Sequence, residues 1–179
     1  MNYLADLKPH IGSEKTLVIS GGHPNHKEPN PIIDSVYLFD IPQGMLSRYD
    51  RSQYEILMHY ICEQECSQVI YVAPRQPAMF EALENSDSPR SLHLSIKFHL
   101  SVLLGKYEDR VVSNQVRRQM LLELYTIEQC KMLMEYFFIK RKIDQGDLKL
   151  KGLVSQMGSE KFESVFFNGI SYNNLITLN

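Results

Sequence analysis

The chain contains no tryptophan and only three cysteines among its 179 residues. Cys62, Cys66 and Cys130 cannot all pair within one chain, and no two of them stand as C-x-x-C. A disulfide framework is therefore not expected. No apolar run approaches the roughly 20 residues that a membrane span requires. The first residues, Met1-Asn2-Tyr3-Leu4-Ala5-Asp6, lack the basic and apolar blocks of a secretion signal. These absences point to a reduced, cytoplasmic protein. Excess charge is missing too: 19 basic against 21 acidic side chains give a formal net charge of -2. That balance provides no bulk attraction to nucleic acid or to an anionic membrane, so neither is expected as a partner. There is also no G-x-S-x-G elbow, no G-x-x-x-x-G-K-[ST] loop and no G-x-G-x-x-G fingerprint.

What is present is ordinary globular material, 44% hydrophobic and 22% charged. Its length fits a single domain over residues 1–179, with 1–14 as an N-terminal arm. In that arm Tyr3, Leu4, Leu7 and Ile11 form an apolar stripe on a segment too brief to be a stable helix alone. The stripe must pack on its own domain or on a partner.

Thr16-Leu17-Val18-Ile19-Ser20 reads as a buried strand stopped at Gly21-Gly22. Residues 21–34, rich in Gly, Pro, Asn and His, read as a long loop, and loops of that length are usually functional. Ser35 to Phe39 is a second strand. Tyr54, Leu57, Met58, Ile61 and Cys62 have helical spacing, which predicts a helix over about 50–66, before a third buried strand at Gln68 to Val72. Helical stretches are expected near 91–105, 109–124 and 126–144, the last stopped at Gly146. Leu148, Leu150 and Gly152-Leu153-Val154 alternate with Lys149 and Lys151 as a strand with one wet face. A turn at Met157-Gly158-Ser159-Glu160 returns Lys161–Phe167 as its hairpin partner. This order predicts an α/β fold: a central, mostly parallel sheet flanked by helices, with a C-terminal antiparallel hairpin strand.

Two segments carry a resemblance. Val116-Arg117-Arg118-Gln119 has the form V-x-x-Q, with Gln115 directly before it, and Gly146 to Val154 has the form G-x-L-x-L-x-G-hydrophobic-V. In this order, behind two buried strands, they make the chain resemble the β-class carbonic anhydrases over most of its length. The resemblance implies a zinc site with a C-x-D-x-R motif after the first strand and H-x-x-C after a later one. In this sequence the first motif falls on Gly21, His23 and Asn25, and the second on Pro74 and Pro77. The R-N-A-G segment that follows the second strand falls on Phe39-Asp40-Ile41-Pro42. No cysteine precedes Cys62, so shifting the alignment by a residue cannot restore the site. Water reaches a pKa near 7 on zinc only with about three protein ligands and an open position. The expectation is a degenerate member with no catalytic residues, no metal ligands and no cofactor, serving a binding or regulatory role. It is also expected to be a homodimer, as the resemblance implies.

Other groupings compete with plain packing. His23 and His26 form H-x-x-H but lack a third ligand. His59, Cys62 and Cys66 share one helical face, where Cys62 doubles as core. Lys140-Arg141-Lys142 suits the negative end of a helix. Ser20-Gly21-Gly22 could cradle a small anion on backbone N–H groups, with His23, Asn25 and Arg75 arriving beside it. Gly21, Gly22, His23, Asn25 and Arg75 are thus the candidate ligand-binding residues. An enzyme rebuilt around His23, His26 and Arg75 is the alternative. A working carbonic anhydrase is the third reading.

Overall fold

In the computed structural model the described residues are 3–21, 31–33, 35–41, 46–47, 49–73, 105, 113–155 and 161–172. They form one seven-stranded sheet with the order β2-β3-β1-β4-β5-β6-β7. The strands are β1 (Thr16–Gly21), β2 (Pro31–Ile33), β3 (Val36–Ile41), β4 (Gln68–Val72), β5 (Lys149–Ser155), β6 (Phe162–Phe167) and β7 (Ile170–Ser171). The four central strands, β3, β1, β4 and β5, run parallel, whereas β2, β6 and β7 pair antiparallel at the margins. The expected α/β architecture and its C-terminal hairpin are both present.

Side chains alternate across the sheet and build two cores. Leu17, Ile19, Phe39, Ile41, Val69, Tyr71, Leu150 and Val154 point to one face. There they meet α2 (Arg51–Met58), α3 (Asn114–Met134) and α4 (Phe137–Asp144) through Leu57, Met120, Leu124, Ile127, Leu133 and Ile139. Val18, Val36, Leu38, Ile70, Val72 and Leu153 point to the other face and meet Leu7 and Ile11 of α1 (Tyr3–Ile11). The central strands are buried on both sides, which is why they read as continuous apolar runs.

Leu7 and Ile11 of the arm's stripe are therefore covered by the chain's own sheet. Two side chains from neighbouring strands close the contact. Gln68 Nε2 donates to the carbonyls of His10 and Ile11 at 3.2 and 3.1 Å, and Lys151 Nζ donates to the carbonyl of His10 at 2.9 Å. These are the orphan acceptors at the end of a helix, and cations suit that end.

Several boundaries differ from the sequence reading. The loop read over 21–34 holds a short strand, β2, which pairs with β3 through Pro31–Tyr37 and Ile33–Val36. The second strand runs on to Ile41, so Phe39, Asp40 and Ile41 belong to the sheet rather than to a segment after it. The helix at 50–66 is α-helical only to Met58 and becomes a π-helical turn over His59–Glu63. The break expected between 124 and 126 is absent. Thr126 Oγ1 donates to the Leu122 carbonyl at 2.7 Å, which satisfies the hydroxyl inside a continuous α3. That helix starts instead at Ser113, whose hydroxyl accepts from Val116 N. Gly146, at φ +80, ends α4 region as expected. The helix expected near 91–105 and the turn at 157–160 lie essentially outside the described residues.

Candidate functional site

The order of the strands decides where a ligand site belongs. From β1 the chain leads to β3 on one side, and from β4 it leads to β5 on the other. The connections diverge, and between the carboxyl ends of β1 and β4 they leave the switch-point crevice where parallel sheets bind ligands. Ser20 lies in register with Val72, and Gly21 follows one residue beyond. Ala73 continues β4 and donates its N–H to the Leu153 carbonyl at 3.1 Å. Gly21 and Ala73 thus form adjacent lips of the crevice.

On the other side of β1, Gly21 is in register with Ile41, and Ser20 with Asp40. Ser20 is buried, and its hydroxyl donates to Asp40 Oδ1 at 3.3 Å. The sequence reading missed Asp40 as part of this end of the sheet, because it assigned the residue to a segment after the strand. The available signal was the alternation of Val36, Leu38 and Asp40, which puts the carboxylate on the same face as Ser20 and at the strand end.

Of the candidate ligand-binding residues, Gly21 stands at the crevice. Gly22, His23, Asn25 and Arg75 follow directly from the two lips but lie outside the described residues, as do His26, Pro74 and Pro77. The three thiols are elsewhere. Cys66 precedes β4 and so sits at the amino end of the sheet, a five-residue strand away from Ala73. Burial pushes its thiol up to about 11. Cys130 is fully buried against Gly152, and burial raises its thiol well above the ordinary range. Cys62 lies in the π-helical turn. His59 Nδ1 there is 2.6 Å from Glu63 Oε2, and Cys66 falls beyond the turn, so the expected shared face of His59, Cys62 and Cys66 is broken. Among the described residues, no three His, Cys, Asp or Glu side chains are grouped to hold a metal ion. Among the described residues the crevice does not offer a zinc ligand set: Gly21 has no side-chain donor, and Asp40 is a single carboxylate on the neighbouring strand end.

The V-x-x-Q segment lies in the first turns of α3. Arg117 and Arg118 are exposed, whereas Gln119 turns inward and its Nε2 donates to Glu123 Oε1 at 3.3 Å. Further along, Gln129 Oε1 accepts from Leu46 N at 2.8 Å and Tyr136 donates to the Ser47 carbonyl. Helix α3 and the N-cap of α4 thereby hold Leu46 and Ser47.

The likeness to solved structures is extensive. The chain superposes on the β-carbonic anhydrase CafD of Aspergillus fumigatus with a TM-score of 0.67, covering 86% of this chain and 90% of that one at 13% identity. One of two tetrameric β-carbonic anhydrases from Sordaria macrospora gives 0.64 over 91% and 89% at 13% identity. The fold is that of the β-carbonic anhydrases. The Coccomyxa β-carbonic anhydrase solved with acetazolamide also matches, at 0.61 over 86% of this chain and 72% of that chain, with 12% identity. No protein-family model and no curated protein matches the sequence. At such identities the β-carbonic anhydrase likeness carries architecture, and the chemistry must be argued from the site. No helix among the described residues is long and apolar enough to cross a membrane.

Proposed function

We propose that this chain is a non-catalytic protein of β-carbonic anhydrase fold, with the zinc site lost, that binds a small anion in the crevice between β1 and β4. The observation that carries the reading is Gly21 at the end of β1, beside Ala73, where the resemblance requires a thiolate. A glycine there removes a ligand and also opens the backbone to close approach. In sequence, Gly22, His23 and Asn25 follow β1 and Arg75 follows β4, and their N–H, imidazole, amide and guanidinium groups are donors, which favour an oxyanion. A donor set of that kind takes a small oxyanion such as bicarbonate or phosphate. Self-association fits the same reading, since Sordaria macrospora relatives of this fold are tetrameric.

The test is elemental analysis of protein purified without a metal-binding tag, CO₂ hydration assays, and calorimetric titration with bicarbonate, phosphate, nitrate and chloride. The expected result is no stoichiometric zinc, hydration at the buffer rate, and heat with bicarbonate or phosphate. One zinc per chain, with hydration lost on chelation, would overturn the non-catalytic reading. Zinc-free protein that binds none of the four anions would overturn the anion site alone.

A further inference from the structure

Helix α3 is buried all the way round over residues 121–127, and one residue of that stretch is a glutamate. Glu123 is 2% exposed. A carboxylate there has lost its hydration and needs full compensation from hydrogen bonds or a cation. It receives one bond, from Gln119 Nε2 at 3.3 Å. The two remaining oxygens, Glu123 Oε2 and Gln119 Oε1, are buried and have no hydrogen-bond partner. Both are acceptors, so neither satisfies the other while the carboxyl is ionised.

The surroundings offer no relief among the described residues. From β4 this face presents Tyr71, which is hydrogen-bonded to Tyr125 of α3 itself. From β5 it presents Leu150, Gly152 and Val154, and from α4 it presents Ile139. From β6 it presents Glu163, in register with Val154, and this second carboxylate acts on Glu123 by repulsion.

We propose that Glu123 is a proton-operated latch within α3: one proton on Oε2 closes the Gln119–Glu123 pair into a two-bond amide–acid ring that lets it stay buried where α3 packs on β5 and β6, and loss of that proton leaves an uncompensated charge in that contact. The proton comes from solvent and forms the O–H that donates to Gln119 Oε1, while Gln119 Nε2 continues to donate to Oε1. Both orphan oxygens are satisfied in one step. Burial raises the carboxyl to about 7, the Gln119 bond opposes this, and Glu163 adds to it. The folded-state value lies above the ordinary carboxyl value of 4.5. The folded protein therefore holds a proton that the unfolded chain releases. The latch contributes fully below about 4.5 and is lost as the pH rises through about 7.

Three forms of the full chain test this: wild type, E123Q and E163Q. Glutamine at 123 closes an amide–amide ring that cannot titrate. Between pH 5 and pH 8 the folded-to-unfolded ratio of E123Q should gain on that of wild type by on the order of a hundredfold in urea denaturation. Infrared spectra of wild type should show a buried protonated carboxyl at pH 6 that disappears with a midpoint near neutrality. The same band should be missing from E123Q, and its midpoint should move to lower pH in E163Q. Parallel stability curves for wild type and E123Q, or no protonated carboxyl in wild type at pH 6, would overturn the latch. Should E123Q fail to fold, the wild-type and E163Q infrared titrations still decide the question.

Discussion

At Gly152, β5 and α3 approach so closely that a side chain would have no room. A Cβ built there meets Cys130 Sγ at 2.7 Å, and Phe166 Cβ and Thr126 Cγ2 at 3.0 Å each. Gly152→Ala should cost about 1–3 kcal/mol in urea unfolding, the usual penalty for overpacking a tight core. Cys130→Ala should recover part of that loss in the double variant, because it removes the nearest of the three atoms. Strictly additive losses would deny the contact. The sequence reading included Gly152 in its strand motif, yet the reason for glycine there was not legible, because it depends on residues of other elements, Thr126 and Cys130 of α3 and Phe166 of β6. Gly21 was legible as the end of a strand. Glu123 was not singled out, since a glutamate within a helical pattern reads as a solvated face until the packing on all sides is known.

The first helix is an element held by a few polar contacts as well as by its apolar stripe. Gln68 is 1% exposed, and its amide nitrogen reaches Thr16 Oγ1 at 3.1 Å in addition to the two carbonyls at the end of α1. Gln68→Leu should leave the Ile11 carbonyl without its side-chain donor, the His10 carbonyl keeping Lys151 Nζ, and cost about 1–3 kcal/mol. Hydrogen exchange would show the loss first in α1, whereas equal changes in all strands would point to a general packing defect. The elements most legible in the sequence were those set by local apolar runs: β4 was read with its observed bounds, and β1 to within one residue. Elements governed by long-range contacts were not. β2 contains a proline and gains its pairing only from β3. The π-helical turn depends on how Ile61 and Cys66 both reach the core. One local signal was overlooked. Asn168 and Gly169, with φ of 46° and 94°, are the N-G pair of a tight hairpin, and they turn β6 into β7.

For the whole molecule, the expected assembly is a homodimer, so sedimentation at micromolar concentration should give twice the 20.8 kDa of one chain. A mass of one chain would refute it. Because Leu7 and Ile11 are buried against this chain's own sheet, deleting residues 1–12 should lower stability while leaving the assembly state unchanged. A dimer that dissociates on that deletion without loss of fold would show that the arm clasps a neighbour. The sheet also sets a timetable for synthesis. β4 is flanked on one side by β1, but its other neighbour begins at Lys149, in register with Gln68. At about 5–20 residues per second, a ribosome needs roughly 4–15 s to pass from the end of β4 to the start of β5. Throughout that interval the nascent chain presents Val69, Ile70, Tyr71 and Val72 as an unfinished apolar edge, and contacts of such long sequence separation form slowly even once both strands exist. The burden of avoiding misassembly therefore falls on those seconds of translation, when holding chaperones have the most to contribute.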